Sequence, residues 1–250
     1  MWPSQTEPIA TLAIVVLALL LLGWFVLRAR KTTGFPFRPI AAFQAMQGLL
    51  GRTAESGRKV HLSLGSSGLG DEQTAATSAG LTVLRSFAEQ GAAFGYSPVV
   101  TVADPILMLV AQDILYHAYQ RTGLAASYRS TDVRLISPDP AAYAVGAQEE
   151  INREQVAANV MTGHFGDEYL LLGEAGAQRE ITQLVGSNTV EVQPLMMATS
   201  DRALMGEELF AAGAYLARRP EHVASLHVQD VLRVLLVAAI VVAVAIKTFG

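Results

Sequence analysis

The chain carries its two long apolar runs at its two ends, which confines a water-soluble fold to the stretch between them. Residues 9–27 (IATLAIVVLALLLLGWFVL) hold no charge and are followed at once by Arg28, Arg30 and Lys31. Residues 234–246 (VLLVAAIVVAVAI) lie between Arg233 and Lys247. With a rise of about 1.5 Å per residue, roughly 20 apolar residues in a helix cross a hydrocarbon core about 30 Å thick. The pattern predicts a domain tethered to a bilayer at both ends.

The flanks set the expected topology. A cleaved signal peptide carries its positive charge before the apolar core and a small-residue cleavage site after it. Here MWPSQTEP precedes the core, with Glu7 and no lysine or arginine, and the basic cluster follows. That order predicts an uncleaved anchor over residues 9–28, with residues 1–8 outward and the chain from residue 31 in the cytoplasm, because Lys and Arg near a span stay inside. The second run is shorter. Extending it to residues 231–249 requires Arg233 and Lys247 to reach the two interfaces along their aliphatic stems. Arg218 and Arg219 upstream return the C-terminus outward; the alternative is an apolar helix packed on the domain or on a partner. The expected location is the cell membrane, two-pass, with both termini outward. A transporter is disfavoured, since neither span carries an ionisable residue near its centre.

Between the runs, residues 32–229 hold 13 Lys and Arg against 20 Asp and Glu. An acidic surface is repelled by phosphate backbones, so nucleic acid is excluded as a partner. The absence of cysteine removes disulfides, thiolate nucleophiles and cysteine-held metals together.

Residues 34–39 (GFPFRP) read as a stiff linker, because a proline disfavours helix in the residue before it. A short amphipathic helix follows, ending at Gly57, so residues 29–57 form a juxtamembrane segment and residues 58–229 the cytoplasmic domain. Expected strands fall at 60–64, 98–104, 133–139, 157–162 and 181–185. Expected helices fall at 71–90, capped by Asp71, at 105–121, 140–155, 167–178 and 203–217, with 190–197 ambiguous. Strands alternating with helices of this length imply an α/β fold, an open, mostly parallel Rossmann-like sheet with helices on both faces.

In open α/β sheets ligands bind beyond the carboxyl ends of the strands. The sequence places Gly65, Ser66, Ser67, Gly68, Gly70 and Asp71 there, with Asp104, Asp139, His164, Asp167, Glu168, Ser187 and Asn188. The first loop is glycine-rich and joins a strand to a helix, yet its spacing is G-x-x-G-x-G and it lacks the lysine of a P-loop. Asp71 and Glu72 hold the helix start, where a phosphate needs bare N–H groups. Asp104 and Asp139 each precede a proline, an arrangement that makes helix caps. The segment HFGDE (164–168) is the richest in titratable groups, offering a base, a proton donor or metal ligands. His61, inside a strand, reads as a satisfied buried histidine. No metal site and no cofactor is assigned, and Ser66 and Ser67 lack the G-x-S-x-G elbow of a hydrolase.

The phrases VHLSLG (60–65), VTVADP (100–105), RLISPDPAAYAVG (134–146), NVMTGHFGDEYLLLGEAG (159–176) and GEELFAAGAYL (206–216) resemble a family of uncharacterised bacterial membrane proteins, a domain-of-unknown-function group of Chloroflexota-like bacteria. The likeness implies a membrane-anchored architecture and brings no catalytic residue with it. The leading expectation is therefore a membrane-tethered structural or accessory component of a membrane complex, without catalysis. Its expected partners are the lipid bilayer and copies of itself or other membrane proteins. The alternative is a nucleotide- or metabolite-binding domain or enzyme with its site at the strand ends.

Overall fold

Two Asp-Pro pairs show how local chemistry starts the elements of this chain. Proline fits the first turn of a helix, where its missing N–H is not needed, and the aspartate before it accepts from a bare backbone N–H. Asp104 Oδ1 accepts from Leu107 N at 2.7 Å and Asp139 Oδ1 from Ala142 N at 2.9 Å. The helices that follow run Pro105–Arg121 and Pro140–Arg153.

The computed structural model describes residues 6–31, 38–217 and 220–249. Residues 1–5, linker residues 34–37 and the cations Arg218 and Arg219 lie outside the described residues. The chain divides into two compact units, residues 39–217 and the paired ends on either side. The helices are α1 (Thr6–Lys31), α2 (Ala41–Ser56), α3 (Thr74–Ala93), α4 (Pro105–Arg121), α5 (Pro140–Arg153), α6 (Tyr169–Ala177), α7 (Gln193–Thr199), α8 (Ala212–Tyr215) and α9 (Pro220–Phe249). The strands are β1 (Val60–Gly65), β2 (Val99–Val102), β3 (Val133–Leu135), β4 (Ala158–His164), β5 (Thr182–Ser187) and β6 (Arg202–Met205). In the unit of paired ends, α1 and α9 pack on each other. Among the described residues one helical stretch, Glu221–Thr248 of α9, is long and apolar enough to cross a membrane.

In the other unit all six strands are parallel, in the order β3-β2-β1-β4-β5-β6. This is the doubly wound order, in which the winding direction reverses between β1 and β4. Helices cover both faces. Alternation along β1 sends Leu64 toward α3, whose Gly80 lies against Leu64 and the Thr162 carbonyl. It sends Ser63 the other way, to Tyr143 of α5. On the α5 face, Tyr143, Met161, Phe165, Tyr169, Leu172, Val185 and Met196 share one buried apolar cluster. Arg134 on β3 pairs with Glu150 and Glu154 of α5, and Lys59 reaches Glu154 at 2.9 Å. These two cations hold the Glu154 carboxyl down at about 2.

Two sequence expectations are corrected. Residues 203–217 are not one helix: β6 completes the sheet, followed by a 3-10 turn at Gly206–Ala211 and the short α8. The helix expected from Asp71 begins at Thr74, and Asp71 is not its cap. Its Oδ1 instead accepts from Gln73 N at 2.8 Å, closing a turn that delays the helix.

A chain of buried polar side chains crosses the α5 face of the sheet. Gln183 Nε2 donates to the carbonyls of Gly173 and Thr199, so its Oε1 is left to accept from Asn159 Nδ2 at 3.2 Å. Asn159 Oδ1 then accepts from His61 Nδ1–H at 2.8 Å, and His61 Nε2 accepts from the Thr101 hydroxyl at 3.0 Å. Thr101 meets the Tyr143 hydroxyl at 3.1 Å, and Tyr143 meets Ser63 at 2.6 Å. His61 is fully buried, and desolvation of its charged form pulls its pKa down to about 4.

This shift has a sign. Below pH 6.5 the unfolded chain binds a proton that the native ring refuses, so stability falls as pH drops from 6.5 to about 4. A difference of this size is worth on the order of 3 kcal/mol. Urea titrations of the detergent-solubilised chain, followed by tyrosine near-ultraviolet dichroism, should show that loss. His61→Gln should flatten the stability profile over this interval, whatever its stability at pH 7.

Candidate functional site

At the reversal point β1 and β4 approach more closely than side chains permit. Their register shifts between Ser63 and Gly65, so that Gly65 faces His164. A Cβ on Gly65, at φ +89°, would lie 2.4 Å from the His164 carbonyl oxygen. A Cβ on Gly163, at φ +146°, would lie 2.3 Å from the Leu64 carbonyl oxygen. Glycine is required at both positions by space and by backbone conformation.

Beyond this crossing the two loops are sewn together. Ser66 N donates to the His164 carbonyl at 3.0 Å. Glu168 Oε1 accepts from the Ser66 hydroxyl at 2.5 Å and from Gly166 N at 2.9 Å. Gly68 lies directly against the Asp104 side chain. Ser187 donates to Thr189 Oγ1 at 3.3 Å, and the same Thr189 hydroxyl lies 3.0 Å from His164 Nδ1.

Of the sequence-expected residues, Gly65, Ser66, His164 and Glu168 come together at this point, and Gly68 with Asp104 beside them. Ser67 is half-buried in the same loop. Gly70, at φ +102°, and Asp71 shape the turn before α3, with Gly70 N donating to Thr74 Oγ1 at 2.8 Å. Asp139 stays apart as the exposed cap of α5, and Asp167 is exposed near the end of the loop before α6.

The structure adds residues that carry no sequence signal. Thr77 in the first turn of α3 and Thr162 near the end of β4 are fully buried. Their hydroxyl oxygens, with Asn188 Oδ1 just after β5, have no hydrogen-bond partner. Asn188 Nδ2 donates to Gln73 Oε1 at 3.3 Å, tying β5's loop to the start of α3. All three orphaned atoms belong to elements on the α3 side of the reversal point. A buried polar group left unpaired costs about 1–3 kcal/mol.

Charge narrows what can approach. The six connections at the carboxyl ends of the strands carry Asp71, Glu72, Asp104, Asp139, Asp167, Glu168, Glu191, Glu207 and Glu208, and no lysine or arginine. Carboxylates favour helix starts, but their summed field at this edge is negative. Among the described residues no three His, Asp or Glu are grouped to hold a metal ion. Two surface hollows lie elsewhere. One, of about 170 Å³, runs between α3 and α4, where Arg121 pairs with Glu89 at 3.0 Å and His117 Nε2 lies 3.3 Å from Asp113. The other, of about 480 Å³, includes Arg58 and Arg179, whose guanidiniums are spent on backbone carbonyls.

The close crossing makes a direct prediction. Gly65→Ala and Gly163→Ala should each cost about 3 kcal/mol or more, combining backbone strain with a backbone clash. Gly70→Ala, where a Cβ meets open space, should cost about 1–2 kcal/mol from strain alone. Thermal melts of the three variants give the ranking.

The family described as Domain of unknown function (DUF6754) matches residues 4–250, and the chain belongs to it. No curated protein and no solved structure matches the chain.

Proposed function

We propose that this DUF6754 protein is a membrane-tethered binding protein: α1 and α9 hold an α/β domain at the cytoplasmic face, and the crevice between β1 and β4 takes a small polar molecule. Both termini face outward in this reading, as the basic residues at the end of α1 and just before α9 require under the positive-inside rule. The observation that carries the binding site is the set of orphaned atoms on Thr77, Thr162 and Asn188 at the reversal point. Two hydroxyls and an amide oxygen recognise hydroxyl, amide or amine groups. The negative edge favours a neutral or cationic ligand over a nucleotide or any other phosphate ester.

Binding without turnover is the better fit to the side chains present. One oxygen of Glu168 is held by Ser66 and Gly166, Asp104 serves as a helix cap, and the His164 ring is oriented by a threonine rather than by an acid. An accessory subunit that senses or presents a metabolite to a membrane complex matches this arrangement.

Thr162→Val keeps the side-chain shape and removes one orphaned hydroxyl. It should raise the stability of the ligand-free chain by about 1 kcal/mol while weakening ligand retention. Native mass spectrometry of the chain isolated from its own membranes should find a bound, phosphorus-free small molecule in the wild type and less of it in the variant. Equal occupancy in both, or a bound phosphate ester, would refute the reading.

A further inference from the structure

The first turn of α3 is short of hydrogen-bond partners. A helix start leaves its first N–H groups without intrahelical acceptors, and a side chain ahead of the helix commonly takes one of them. Here Gln73 stands at the cap position and makes no side-chain cap bond. Gln73 N donates to Asp71 Oδ1, Thr74 N to the Asp71 carbonyl and Thr77 N to the Gln73 carbonyl. The N–H groups of Ala75 and Ala76, between them, donate to none of the described residues. Ala76 is fully buried, so its N–H is shut off from bulk solvent. Thr77 is fully buried as well, and its hydroxyl has no partner. A helical Cα–Cβ bond tilts toward the N-terminus, which aims this side chain back at the same turn.

Other unpaired groups border that turn. Asn188 is tied to Gln73 through Nδ2, which leaves its own orphaned Oδ1 beside the cap residue. Met161 belongs to the cluster on the α5 face, so alternation turns the next side chain of β4, Thr162, toward α3. The Thr162 carbonyl lies against Gly80, one turn beyond Thr77. The page of partners is therefore mixed: N–H and O–H donors from α3, a pure acceptor on Asn188, and a hydroxyl of either sense on Thr162.

That mixture discriminates among ligand groups. A carboxylate or phosphate ester takes the Ala75 and Ala76 N–H groups, but it offers nothing to Asn188 Oδ1 and enters the field of Asp71, Glu72, Asp104 and Glu168. An ammonium suits that field and Asn188, yet it leaves both N–H groups unmatched and faces the positive end of the helix. A carboxamide answers every group. Its carbonyl oxygen accepts from the helix start and from the Thr77 hydroxyl, its N–H donates to Asn188 Oδ1, and it carries no charge.

We propose that the molecule taken at the reversal point is a neutral carboxamide or urea, with its carbonyl on the first turn of α3 and its N–H on Asn188. This assignment rests on the binding reading given above and narrows it to one ligand chemistry.

Three probes on one ring separate the choices: benzamide, benzoate and benzylamine at pH 7. Full-length chain in lipid nanodiscs, dialysed free of retained ligand, is titrated with each and followed by saturation-transfer NMR. Benzamide should bind at least about tenfold more tightly than either charged probe. Thr77→Val should weaken benzamide by about three- to tenfold, the loss of one hydrogen bond. Thr77→Ser, which keeps the hydroxyl, should retain wild-type affinity, so that a fall in the valine variant is not a general loss of structure. Preference for benzoate or benzylamine, no binding of benzamide, or benzamide binding that ignores Thr77→Val would overturn the amide assignment. Equal ligand retention by the wild type and Thr162→Val in native mass spectrometry would instead overturn the binding site, and the assignment with it.

Discussion

The approach of β1 to β4 is the constraint on which the carboxyl edge of this sheet depends. Two glycines with positive φ let the backbones touch at Gly65–His164 and Gly163–Leu64, where any other residue would force them apart. Because the winding reverses at this pair, the chain after β1 passes to α3 on one face of the sheet and the chain after β4 passes to α6 on the other. Ser66, Glu168, His164 and Thr189 then hold the two loops in a fixed relation. The junction of the two loops is a product of strand register first and of side-chain chemistry second.

Behind the crevice the polar chain from Ser63 to Gln183 links four of the strands through side chains alone. Its direction is set from one end, because the amide of Gln183 has its donors engaged by two carbonyls. Each later partner inherits a single role, which leaves His61 neutral and the sheet interior uncharged. Charge is pushed to the edges instead. The carboxyl edge holds only carboxylates in its loops, whereas the opposite edge mixes cations and anions, as in the Lys59–Glu154–Arg134 cluster. A doubly wound sheet usually directs phosphate to the first helix start. Here Asp71 and Glu72 stand in the turn just before that helix, and the field around them is wrong for an anion.

Local rules made much of this fold legible in the sequence. The helix at residues 105–121 and the Asp104 and Asp139 caps follow from Asp-Pro chemistry within four residues, and the structure reproduces them. Alternation of apolar strands and longer helices gave the parallel α/β class. What escaped was decided at a distance. The four residues of β6 look no different from the start of a helix and become a strand only because β5 offers a free edge. Asp71 reads as a cap, yet its side chain closes a turn before the helix begins. Thr77 and Thr162 are ordinary threonines in any window, and only the packing of α3 on β4 strips their hydroxyls of partners. The glycines at 65 and 163 hint at a close approach, but the register that demands them is not written locally.

The central claim is that the crevice holds a ligand matched to hydroxyl and amide partners. A structure of the chain purified from its own membranes, at a resolution that shows ordered water, tests it most directly. The account predicts a phosphorus-free molecule hydrogen-bonded to Thr77, Thr162 and Asn188. A crevice in which those three oxygens are satisfied by neighbouring protein groups, or which holds a phosphate ester, would contradict it.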